Sequence, residues 1–270
     1  MTASLSYIID SKFVLYNWQQ VYGREKNKRG GVFKKFRDSN IFYKFIDRKS
    51  EVVNVFLHGW GCTHESLLFC QDHIKQSALF VDFPPFGKSD CDIRDWTIFT
   101  YANMVMSICE HLKLNKLNLI GHSFGGRVAI ILAVLCKEKI NKVVLVSSAG
   151  LKPRRSLSYH MCVWAYKLKK KFGFNVSKYG SEDWKNLSPN MKKIFSSVVN
   201  THLDDFVPFI TAPTLIIFGQ NDKTTPVWMA KKLHRKIKNS SLVLLSGAGH
   251  FCFDERRFEF LSAVKNFLLE

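Results

Sequence analysis

Six short apolar runs recur along the chain, at residues 52–57, 78–81, 117–120, 143–146, 215–218 and 242–245, and turn residues close each one. Runs this short and this apolar read as strands buried on both faces, the pattern of a parallel sheet covered by helices. Between most of them lie segments of helical length, at 101–112, 124–136, 228–237 and 257–269. Strand and helix in alternation specify an α/β fold, a mostly parallel sheet with helices on both faces. Residues 124–136 are apolar nearly all round, which suits a helix pressed against that sheet. Upstream, 32–36 and 41–46 read as two short strands around an Asp38-Ser39-Asn40 turn, a hairpin signal.

One interval breaks the alternation. From Ser147 to Ala212 the chain offers aromatic and basic, helical-looking sequence and no buried strand. The expectation is a helical cap inserted above the strand ends at 149–212, with 32–148 and 213–270 forming the core. Residues 1–31 form an N-terminal extension with no assigned structure.

Composition narrows the class. With 270 residues, 46% hydrophobic and 23% charged, there is ample material for a core around one sheet. The seven cysteines are scattered, odd in number and form no C-x-x-C pair, so neither a disulfide framework nor a zinc site fits their spacing. The apolar start is broken by Asp10 and Lys12 and has no basic cluster before it, unlike a signal peptide. No run approaches the roughly 20 apolar residues of a membrane span. A reduced, cytoplasmic protein is expected. The formal charge of +18 fits an anionic partner or a lysine-rich organism equally well. No helix-turn-helix, zinc-finger or aromatic RNA-binding signature accompanies it, so nucleic acid is not an expected partner.

The chemistry concentrates at strand ends. Leu117–Ile120 leads into Gly121-His122-Ser123-Phe124-Gly125-Gly126 ahead of the apolar helix. This is G-x-S-x-G between a strand and a helix, the setting of a nucleophile elbow. The bare pattern arises by chance in roughly one such chain in ten, so its placement carries the weight. A serine there sits in a sparsely populated backbone conformation, and side chains two residues either side would collide, which demands Gly121 and Gly125. A serine hydroxyl also needs a base, and the base an orienting acid. The run 215–218 ends in Gly219-Gln220-Asn221-Asp222, and the run 242–245 precedes Gly247-Ala248-Gly249-His250. Loops at the carboxyl ends of parallel strands share one edge, so Ser123, Asp222 and His250 are expected together as nucleophile, acid and base. The run 52–57 enters His58-Gly59-Trp60-Gly61, a glycine-rich bend with exposed amides. The backbone N–H groups of Trp60 and Phe124 are the expected oxyanion hole, with the His58 ring as loop support.

This ordered set resembles the α/β-hydrolase superfamily, in its branch of small esterases, C–C bond hydrolases, haloperoxidases and proline iminopeptidases. The matching motifs are His58-Gly59-Trp60-Gly61, Asp82-Phe83-Pro84-Pro85-Phe86-Gly87-Lys88-Ser89, Gly121–Gly126, Asp222 and Gly249-His250, over about Val32 to the C-terminus. In the family the second motif usually reads D-x-P-G-x-G-x-S, and here Pro85 replaces a glycine. The resemblance implies a serine hydrolase that needs no metal or organic cofactor. Ser123 excludes the relatives that use an aspartate nucleophile. Many C–C hydrolases of this branch carry asparagine before the serine, so His122 leans toward ester or thioester chemistry.

Residues 151–193 hold eleven Lys or Arg against Glu182 and Asp183, a local charge of +9 and half of the excess. Positive potential near a cleft concentrates anionic substrates. Two substrate classes stay open: an acyl ester bearing a carboxylate or phosphate, including one displayed on an acidic carrier protein, and a simple hydrophobic ester. Trp164, Tyr166, Phe172 and Phe174 suit an apolar acyl pocket under both. A C–C bond hydrolase of the 2-hydroxy-6-oxo-dienoate type is the alternative enzyme. A non-catalytic binding protein of the same fold is the alternative class, although no member of the triad is missing. Oligomeric state is not legible in the sequence.

Overall fold

The computed structural model of the chain describes residues 24–26, 32–37, 39–90, 95–154 and 187–269. Nine strands form one sheet: β1 (Arg24–Lys26), β2 (Val32–Phe36), β3 (Ser39–Ile46), β4 (Val52–Leu57), β5 (Ser77–Val81), β6 (Lys116–His122), β7 (Ile140–Val146), β8 (Thr214–Gly219) and β9 (Ser240–Leu245). Their spatial order is β1-β2-β3-β5-β4-β6-β7-β8-β9. The first three strands and the β3–β5 pair are antiparallel, and every pair from β5 through β4 to β9 is parallel.

The described α-helices are α1 (Ile98–His111), α2 (Phe124–Leu135), α3 (Pro189–Asn200), α4 (Val227–Lys236), α5 (Cys252–Glu255) and α6 (Arg257–Leu269). Local sequence explains their starts. Thr97 and Thr100 form a reciprocal capping box at α1, and Ser188 caps α3 with Pro189 in its first turn.

Alternate strand residues supply two cores. Val55, Leu57, Leu119, Leu145 and Ile216 pack with α1, α2 and α4 on one face. Phe56, Phe80, Ile120, Val144 and Ile217 pack with α5 and α6 on the other. A strand sandwiched this way buries both its faces, so apolar residues prevail on each and the runs show no period-two alternation. Two buried exceptions, Asn54 of β4 and Asn118 of β6, satisfy one another through Asn118 Nδ2 donating to Asn54 Oδ1 at 2.9 Å. Eleven of the twelve residues of α2 are buried, which accounts for its all-round apolarity.

Three expectations need adjustment or lie partly out of view. The hairpin turn is tighter than its sequence suggests. Phe36 pairs with Ser39, and Ser39 and Asn40 belong to β3. Arg37 turns the chain in the left-handed region at φ 53°, and Asn40 is drawn into the sheet by its backbone exchange with Asp90. Within the unassigned N-terminal stretch, residues 24–26 add an edge strand to β2; residues 1–23 and 27–31 lie outside the described residues. Of the β7–β8 interval, residues 147–154 and 187–213 are described, including α3. The four aromatic residues expected to line an acyl pocket and most of the basic run fall outside.

The sheet topology fixes where a site can form. From β4 the chain moves outward to β5 and then returns across β4 to β6. The loops after β4 and β6 therefore diverge to either side of a crevice, the switch point at which open α/β sheets bind ligands.

Candidate active site

Ser123 sits between β6 and α2 at φ 49° and ψ −104°, a conformation that L-residues rarely adopt and that surrounding structure must impose. Backbone packing imposes it here. A Cβ on Gly121 would lie 2.5 Å from the Gly125 carbonyl oxygen, and one on Gly125 would lie 2.1 Å from that of Leu57. Those neighbours are backbone atoms and cannot rotate away. The Ser123 N–H donates to Val146 O at 3.0 Å, and the N–H of Gly125 donates to His58 O at 3.1 Å, tying the turn to both neighbouring strands.

The β4 loop lies alongside, because Leu57 pairs in register with Gly121. His58 is buried, and both ring nitrogens are engaged. Nε2 accepts the Phe83 N–H at 2.8 Å, and Nδ1 lies 2.7 Å from Gly59 O as donor. Burial pushes its pKa down to about 4, so the ring is a neutral strut between two loops. The 82–89 motif is held by Asp82, whose buried carboxylate accepts the His64 and Lys88 N–H groups at 2.6 and 2.9 Å and the His64 ring at 2.8 Å. Its Pro84–Pro85 bond is cis. Trp60 lies in the His58–Gly61 bend. The N–H of Phe124 opens α2, where a helix offers no internal acceptor, and both residues line the same cavity as Ser123.

His250 and Asp222 come from adjacent strand ends. Asp222 Oδ2 accepts from His250 Nδ1 at 2.9 Å. Burial by itself would raise the Asp222 carboxyl, but hydrogen bonds from His250 and Thr225 outweigh it and hold the pKa below the usual carboxylate value. The two loops are stitched together by backbone bonds, Gln220 N–H to Leu245 O at 3.0 Å and Asn221 N–H to Ala248 O at 2.8 Å.

Ser123, Trp60, Phe124 and His250 line one cavity of about 480 Å³ together with Phe195, Val198 and Val199 of α3 and with Leu151, Pro153 and Met229. Asp222 stands behind His250. All five residues singled out in the sequence thus converge on one edge of the sheet.

Three further contributors were not singled out in these roles. Thr225 braces the acid: its N–H donates to Asp222 Oδ1 at 2.8 Å, and its hydroxyl lies 2.7 Å from Oδ2 and 3.3 Å from His250 Nδ1. Asp222-Lys223-Thr224-Thr225 has the form of an Asx-type turn, in which the aspartate side chain accepts backbone N–H groups two and three residues on, so a local cue for Thr225 existed. His122 lies 3.1 Å from His250 O through Nε2, its Nδ1 has no partner, and burial first, then the neighbouring His250, pushes its pKa to about 3. Arg127 reaches from α2 to α3, a contact between distant segments that leaves no local signal.

A family model described as "alpha/beta hydrolase fold" matches residues 55–176, and one described as "TAP-like protein" matches 195–270. The uncharacterized hydrolase YugF of Bacillus subtilis is 26% identical over 250 residues, covering 80% of this chain and 90% of that protein. A 2-hydroxy-6-oxononadienedioate/2-hydroxy-6-oxononatrienedioate hydrolase of Pseudomonas putida is 25% identical over 264 residues, covering 86% and 92%. Among solved structures, an esterase from Exiguobacterium antarcticum superposes with a TM-score of 0.71 at 22% identity, over 88% of this chain and 99% of that one. Two family models matched over 55–176 and 195–270, relatives aligned along most of their length and a shared architecture lead to one conclusion: the chain belongs to the α/β-hydrolase superfamily.

Proposed function

We propose that the protein is a serine hydrolase that cleaves a carboxylic ester or thioester through an acyl-enzyme, with Ser123, His250 and Asp222 as its triad. The observation that carries this reading is the Asp222–His250 hydrogen bond facing a cavity shared with a serine held at φ 49°. A backbone strained in this way costs about 1–3 kcal/mol and such residues cluster at functional sites, which supports a working role for the Ser123 hydroxyl.

In the proposed cycle His250 takes the Ser123 proton as the serine oxygen attacks the carbonyl carbon. The amides of Trp60 and Phe124, with the N-terminal dipole of α2 behind them, stabilise the tetrahedral oxyanion, the largest single term in such catalysis. The C–O or C–S bond breaks, and His250 returns the proton to the leaving group. Water deprotonated by His250 then attacks the acyl-enzyme, and Ser123 recovers its proton. Asp222 fixes the Nδ1–H tautomer of His250 and stabilises the imidazolium that forms twice per turnover. The apolar wall from α3 suits an acyl chain, and the interval 149–212 acts as its cap. The scattered spacing of the seven cysteines, with no C-x-x-C pair, supports a cytoplasmic setting.

A second reading concerns the substrate's charge. Lys152 and Arg154 are exposed and flank Pro153, which lines the cavity, and this favours acyl esters bearing a carboxylate or phosphate. Turnover of a neutral p-nitrophenyl ester, its carboxylated counterpart and a 2-hydroxy-6-oxo-dienoate by wild type and Ser123→Ala tests both readings. The esters should be cleaved only by wild type, and the carboxylated ester preferentially, with an advantage that falls as salt rises. Retained activity in Ser123→Ala would refute the serine assignment. Preferential cleavage of the dienoate would move the reaction to C–C bonds, and equal, salt-insensitive ester rates would remove the anionic preference.

A further inference from the structure

Arg127 is the fourth residue of α2, one helical turn beyond Ser123. Its side chain is 7% exposed, and no carboxylate pairs with it among the described residues. Burial alone lowers its pKa, to about 10, which leaves it a cation at any physiological pH. A buried charge needs compensation, and Arg127 finds it in the end of another helix. Nη1 donates to Val198 O at 2.9 Å and to Thr201 O at 2.7 Å, and Nη2 donates to Val199 O at 3.4 Å. These are carbonyls of the last turn and C-cap of α3. That terminus carries the negative end of the helix dipole, and α3 has no basic residue of its own in its last turn.

The same helix forms one wall of the cavity. Val198 and Val199 line it, and the Phe195 ring packs edge-on against Trp60 with centroids 5.1 Å apart. The connection at the base of this region is tied separately, through Leu203 N–H to Gly150 O at 2.8 Å and Lys152 N–H to Asp204 Oδ2 at 2.7 Å. Those bonds join the two ends of the interval. Among the described residues, the Arg127 guanidinium supplies the polar link from the body of α3 to the nucleophile helix.

We propose that Arg127 is a positioning residue, a latch that holds α3 against the nucleophile helix and thereby sets the acyl pocket. The idea rests on the serine-hydrolase reading for its kinetic consequence but not for its structural one. Arg127→Met keeps the apolar stem and removes all donors, and Arg127→Lys keeps the charge with a poorer fit to three carbonyls. Two readouts apply to each folded variant: kcat/KM for p-nitrophenyl acetate, butyrate and octanoate, and amide hydrogen exchange across residues 189–200.

The octanoate-to-acetate ratio of kcat/KM should fall about tenfold or more in Arg127→Met, the loss lying in KM, because charge-assisted hydrogen bonds that position the wall are gone. Exchange in 189–200 should rise in the same variant, and Arg127→Lys should recover part of both. Loss in equal proportion for all three esters, or exchange in 189–200 unchanged from wild type, would overturn the latch. If Arg127→Met does not fold, Arg127→Lys against wild type carries the same comparison, with intermediate shifts expected in both readouts and none contradicting the proposal. If wild type cleaves none of the esters, the ester reading fails, and the exchange result alone decides the role of Arg127.

Discussion

The two halves of the candidate site are built by different physics. On the nucleophile side, Ser123 is held by backbone atoms in close contact, and a single added Cβ at Gly125 would come within 2.1 Å of a carbonyl oxygen. On the acid–base side, Asp222 and His250 are held by hydrogen bonds from Thr224, Thr225 and the paired loops after β8 and β9. Steric constraint tolerates no substitution but fixes the geometry absolutely. A hydrogen-bonded arrangement can lose one member and keep its shape, at a graded cost in proton affinity and orientation. The nucleophile half should therefore fail all at once, and the acid–base half by degrees.

Four perturbations break or sharpen that contrast. Gly125→Ala should be the most severe, removing folded, active protein altogether, since β4 and the nucleophile turn must separate to admit the methyl group. Circular dichroism and ester turnover read it, and a folded variant with near wild-type activity would show that the turn yields. Asp222→Asn should preserve the fold and lower kcat by about 10⁴-fold through the wrong His250 tautomer; a loss under tenfold would mean that another group orients the base.

Acid should come next. His58 and His122 have folded pKa values of about 4 and about 3 against 6.5 when unperturbed. The unfolded chain therefore binds more protons as pH falls below 6.5, and stability is lost from there down to the folded values, at roughly 1 kcal/mol per pH unit for each ring. Urea midpoints at pH 7 and pH 5 should show the loss, and His122→Asn should reduce it; a flat profile would mean that the rings stay solvated. The mildest change, Thr225→Val, should lower kcat about tenfold by removing a single hydrogen bond to the acid, while kcat/KM falls in step and the fold is kept. A collapse as complete as that of Gly125→Ala would erase the distinction between the halves.

The same contrast governs how much the sequence discloses. Steric requirements are written locally. Gly121 and Gly125 stand two residues either side of Ser123, and strands pressed between two helical layers are rich in apolar residues on both faces, so the apolar runs of β4 to β9 and the strand-end positions of Ser123, Asp222 and His250 can be read directly. Polar links between distant segments are not written locally. Arg127 sits in an apolar helix and His122 in a motif, yet each finds its partner about 70 or more residues away, where only tertiary packing decides the pairing. The hairpin at Arg37 was offset for a related reason, since Asn40 is a good turn former whose backbone is claimed by Asp90. Residues 189–200 show no strand signal because they form α3, which packs through few positions, with Ile194 and Val198 its buried residues.

The most direct test of the account is labelling by a fluorophosphonate probe, which reacts only with a serine whose hydroxyl is activated. Wild type should label and Ser123→Ala, shown to be folded, should not. Equal labelling of both would place the reactive serine elsewhere, and failure of folded wild type to label would contradict an activated Ser123 and return the fold to a binding role.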